Sequence, residues 1–138
     1  MKPIPMRKNL VLHFLFIALL CSSFTTGMPG SAEAPACEIM KNGTFDYVGI
    51  PHSEAYIVIE GDQHAEYYQD GKYYVKSRLE WIDECTFQTT VERITVPEFS
   101  FGLGDHMTIK ITKVKKGIIE FEGKTDKEEF SGKLKKVE

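Results

Sequence analysis

Past residue 37, apolar and polar side chains alternate one by one, and almost no stretch carries a helical period. Residues 72–82 show it most clearly. Tyr73, Val75, Ser77, Leu79 and Trp81 share one face, and Tyr74, Lys76, Arg78 and Glu80 share the other. Side chains on a strand point alternately to its two faces, so this segment has one dry side and one wet side. A second strand starts at Cys85 after a turn at Asp83-Glu84, with Phe87, Thr89 and Val91 inward and Gln88, Thr90 and Glu92 outward. Further on, Met107, Ile109 and Ile111 alternate with Thr108, Lys110 and Thr112. Ile119 and Phe121 follow a turn at Lys116-Gly117, and Phe130, Gly132 and Leu134 follow one near Thr125-Asp126-Lys127.

The N-terminal half is less regular. Gly43 to Val48 puts Phe45 and Tyr47 on one face, and Tyr56 to Glu60 is apolar on both. His64 to Gln69 follows a turn at Gly61-Asp62, and Asp70-Gly71 is a strong hairpin signal. The pattern predicts an all-β fold of about eight short antiparallel strands, each with an apolar face to hide. A closed barrel hides those faces and removes sheet edges; a two-sheet sandwich is the rival. One long irregular stretch, Val96 to Asp105, carries Phe99 and Phe101. Those rings either plug the barrel end or form a lid over a ligand.

The first residues read differently. Lys2, Arg7 and Lys8 precede a nearly unbroken apolar run from Leu10 to Cys21, and small polar residues follow. That is the pattern of a secretory signal peptide, and the run is short for a membrane span. Residues 1–34 are expected to be removed, leaving a single domain over 35–138. Alternatively, the signal ends before Cys21 and that cysteine is lipidated, with the following residues as a tether. The expected location is therefore the periplasm, the medium, or the outer membrane through a lipid anchor. Either way Cys37 and Cys85 meet an oxidising space, and a disulfide between them is expected.

The whole chain has a net charge of -3. Without residues 1–34 the net charge is -5, divided as -8 over 35–109 and +3 over 110–138. An acidic domain of this kind is a poor candidate for nucleic acid.

The segments CEIMKNGTFDY at 37–47, KSRLEWIDECTFQ at 76–88, LGDHMTIKI at 103–111 and EEFSGKLKKV at 128–137 resemble a family of short exported bacterial proteins with a lipocalin-like barrel. The matching positions are Cys37, Gly43, Phe45, Trp81, Cys85 and Phe87. Gly43-Thr44-Phe45 is also similar to the Gly-x-Trp that opens lipocalin first strands. The resemblance implies a calycin-type barrel that takes small apolar molecules inside. Some members bear the name DNA topoisomerase IV; this chain has no nucleotide-binding loop and no basic groove to go with it.

Catalytic signatures are lacking. His52, His64 and His106 have no metal-ligand spacing and are expected at the surface. Tyr67, Tyr68, Tyr73 and Tyr74 surround the Asp70-Gly71 hairpin, two facing inward and two outward. Ser77 and Thr89 are hydroxyls on otherwise apolar faces, and each needs a partner in backbone, water or ligand.

The expectation is thus a non-enzymatic, monomeric barrel without metal or cofactor, holding a small hydrophobic molecule in the cell envelope. Tyr73, Ser77, Leu79, Trp81, Phe87, Thr89, Ile109, Ile111 and Phe121 are expected to line its interior. The alternative is a solid-core structural or interaction module of the envelope with no ligand.

Overall fold

A computed structural model describes residues 36–138. The signal segment expected over 1–34, and Cys21 within it, lie outside those residues. Eight strands follow one short turn of 3-10 helix, η1 (Cys37–Met40). They are β1 (Gly43–Tyr47), β2 (Ala55–Glu60), β3 (Gln63–Tyr68), β4 (Tyr73–Trp81), β5 (Thr86–Ile94), β6 (His106–Lys115), β7 (Ile118–Lys124) and β8 (Glu129–Lys136). Each pairs antiparallel with the next, and β8 returns to β1, so the sheet closes into a barrel in sequence order. The sandwich is ruled out, because no pair of neighbouring strands is left open.

Alternation fixes which side chains face inward. Phe45, Ile57, Ile59, Leu79, Phe87, Ile109, Ile111, Ile119, Phe121 and Leu134 form the core, each almost wholly buried. A large apolar side chain removed from water contributes about 1.5–3 kcal/mol, so this inward face is the main support of the fold. Two register shifts adjust the pattern, one at Lys76/Ser77 against β5 and one at Ile111/Lys113 against β7. Beyond the second, Val114 rather than Lys113 packs on the core.

In a meander of this kind alternate connections fall at the same end. One end is sealed. There η1 lies just before β1 and buries Met40 under the barrel. Cys37 in η1 is bonded to Cys85 in the β4–β5 connection, which fixes the turn in place. A disulfide of this kind fits an oxidising compartment. Lys136 donates from its Nζ to the carbonyls of Ile39 at 3.3 Å and Asn42 at 2.7 Å, and its ammonium sits 5.8 Å from the Phe45 ring centre. Gly43 starts β1 at φ 138, where a Cβ would stand 2.4 Å from the Glu138 carbonyl oxygen. Glycine alone permits that approach. Among the described residues, no helix is long and apolar enough to cross a membrane.

Candidate ligand-binding cavity

The other end is open. The connections β1–β2, β3–β4, β5–β6 and β7–β8 meet there, and the first, third and fourth of them edge a cavity of about 460 Å³ that runs into the barrel. Its deep wall is apolar: Met40, Ile57, Phe87, Ile109, Phe121 and Leu134. Its rim takes Val48 and Ile50 from the β1–β2 connection, Phe99 and Phe101 from β5–β6, and Phe130 from the start of β8. Val48, Ile50 and Phe130 are exposed, as is Leu103 in the same β5–β6 connection, so the mouth is rimmed with apolar surface. Phe99 lies 5.5 Å from Phe101 and 6.4 Å from Tyr68, ring centre to ring centre. The two phenylalanines thus form part of the cavity wall at its mouth.

The ladder between β1 and β8 has only three register pairs, the fewest in the barrel. Tyr47 ends β1 opposite Leu134, and Phe130 to Lys133 of β8 continue past it. All of them line the cavity, which lies beside this short seam. Phe130 can lie against β7 there because Gly123 faces it; a Cβ on Gly123 would meet the ring at 2.2 Å.

Strand β3 brings polarity into this apolar space. His64 pairs with Ile59 and Ser77, and Glu66 with Ile57 and Val75, all inward positions. Both side chains line the cavity, with Tyr47 and Tyr68 beside them. The Tyr47 hydroxyl donates a short hydrogen bond to Oε1 of Glu66. Tyr68 lines the same wall and feels the charge of that carboxylate. Burial, and then the negative charge of Glu66, pushes both phenols well above their ordinary range, so both stay protonated as donors. Burial holds His64 below its ordinary range, against the upward pull of Glu66, so its ring is neutral at neutral pH.

The residues singled out from sequence divide into groups. Phe87, Ile109 and Phe121 line the main cavity. Ser77 and Thr89 are buried and line an annex of about 60 Å³, which shares His64, Glu66 and Met107 with it. Leu79 and Ile111 are buried in the core and do not line the cavity. Tyr73 and Trp81 end β4 at opposite ends and are only half-buried. Tyr73 lies under Lys72 at 5.0 Å and lines a shallow hollow with Val96 and Pro97. Trp81 packs against Phe87 at 5.0 Å near the sealed end.

One expectation is corrected: His64 is not at the surface but 6% exposed and turned into the barrel. The alternation of β3 carried that signal, since His64, Glu66 and Tyr68 occupy every second position. Their polarity hid it, because a polar triplet reads as a wet face. Of the hairpin tyrosines, Tyr67 lies between Tyr56 and Tyr74 on the outside, and Tyr68 turns in. Among the described residues, no group of three or more His, Cys, Asp or Glu could hold a metal ion.

Compared with known proteins, the chain matches no family model, no curated protein and no solved structure.

Proposed function

We propose that the protein is an exported, lipocalin-like binder that carries one small, largely hydrophobic molecule inside its barrel, in the cell envelope, without chemical turnover. The observation that carries this reading is the cavity of about 460 Å³, walled by apolar side chains and open at one end. Ligand pockets typically span roughly 300–1,000 Å³ and combine apolar walls with a few placed polar groups. A solid-core module would fill the barrel with side chains from end to end, whereas this cavity reaches down to Met40 of η1. The Cys37–Cys85 disulfide supports an oxidising location. The segments around Cys37, Trp81 and Cys85 support membership in the exported lipocalin-like family.

Native mass spectrometry of the protein purified from its own source tests the reading. The expected result is a single added mass, below that of a small peptide, that is lost on denaturation. A bare polypeptide mass, together with failure to take up any apolar probe, would overturn it.

A further inference from the structure

The cavity has a charged pole as well as apolar walls. Glu66 reaches into it from the middle of β3, with Tyr47 donating to its carboxylate and Tyr68 in the same wall. A carboxylate has acceptor sites for about four hydrogen bonds, so the Tyr47 phenol leaves part of it open to the cavity. Among the described residues, none deep in the cavity carries the opposite charge, for His64 is buried and neutral. The other ionisable groups lining the space are Glu128 and Lys133, near the mouth. Lys133 is largely exposed and turned to Glu120 at 3.2 Å, so its charge is answered outside the barrel. Glu128 adds a second negative charge. A greasy space with this field favours cations and repels anions.

From this geometry we infer that the ligand is a cationic amphiphile: a hydrophobic body along Phe87, Ile109 and Phe121, and a protonated nitrogen on the Glu66 carboxylate. This rests on the cavity being a ligand site, and it names the chemical class that site prefers. The ammonium group supplies what the half-buried carboxylate lacks inside the cavity, a positively charged donor. A fatty acid of the same length would place two carboxylates together and is disfavoured. A neutral alcohol would fill the same walls and offer only a neutral donor.

Three molecules with one tail separate these cases. Decylammonium, decanol and decanoate are each used, at neutral pH, to displace the neutral fluorophore N-phenyl-1-naphthylamine from the folded protein. The expected order is decylammonium, then decanol, then decanoate, with the first at least about tenfold tighter than the second, the size of one hydrogen bond to a charged group. Glu66→Gln should bring decylammonium to the level of decanol. If the fluorophore binds but the three tails compete equally, or decanoate leads, the charge assignment falls and the cavity reading stands. The same holds if the order survives Glu66→Gln. If neither the fluorophore nor any tail binds, the cavity reading falls and takes this inference with it. Should the variant not fold, the wild-type order alone decides.

Discussion

The hydroxyl of Tyr47, the last residue of β1, donates to the carboxylate of Glu66 at the middle of β3, across the interior of the barrel. The two strands are not neighbours, since β2 lies between them. The bond therefore passes over the inner face of β2 rather than along a ladder, and it lies in the polar part of the cavity wall.

That bond has an alkaline signature. Folding raises the Tyr47 phenol above its unfolded value of 10.0, through burial first and Glu66 second. The native state then holds a proton that the unfolded chain gives up. Stability from this group is whole below pH 10.0 and declines as pH rises above it. Tyr68 acts in the same direction. Thermal melts across the alkaline range should show Tyr47→Phe losing stability less steeply with pH than wild type. At neutral pH the variant should be weaker by about 1.5 kcal/mol, because Glu66 loses a donor. Parallel alkaline slopes would show that the phenol is not held in this way.

His64 gives the opposite dependence. Its pKa is lowered on folding, so the unfolded chain binds a proton that the native state refuses. The contribution is present above 6.5, the unfolded value, and is lost as pH falls below it toward the depressed native value. Denaturant midpoints measured at falling pH should therefore drop, and His64→Gln should flatten part of that drop. An identical acid slope in wild type and variant would place His64 in contact with water.

The disulfide joins residues 48 apart in sequence. Closing a loop of that length stabilises by about 4 kcal/mol in the chain-entropy account. In a domain of this size each kcal/mol moves the melting midpoint by roughly 4–8 °C. Cys85→Ser should lower the midpoint by more than about 10 °C in oxidising buffer, and reduction of the wild type should do the same. The loss should also loosen η1, so Met40, which floors the cavity, should become accessible to oxidation. An unchanged midpoint would mean that η1 is held by packing and by Lys136 instead.

The barrel was legible in the sequence because its signal is local. Val75, Ser77, Leu79 on β4 and Ile109, Ile111 on β6 alternate with charged neighbours, and a period of two needs no knowledge of what lies opposite. The turns at Gly61-Asp62, Asp70-Gly71 and Lys116-Gly117 were equally plain, and each falls between strands as expected. The η1 turn was not legible; four residues carry no period, and its place depends on a disulfide. The polar pole was also hidden. Strand β3 alternates properly, but its inward residues are His64, Glu66 and Tyr68, which only the opposing β1 and the closure of the sheet identify as interior. Nor could the sequence tell which apolar side chains fill space and which wall it. Phe87 and Leu79 look alike in pattern, yet only Phe87 lines the cavity.

The central claim is that an apolar molecule sits inside the barrel, and Met107 gives the most direct access to it. This residue lines both the main cavity and the annex and is only partly buried, so a larger side chain there grows into empty space. Fluorescence titration with N-phenyl-1-naphthylamine should give saturable one-to-one uptake by the wild type. For Met107→Trp the affinity should fall by at least about tenfold, with the fold intact by circular dichroism. Absence of saturable uptake by the wild type, or equal affinity in the filled variant, would contradict the account.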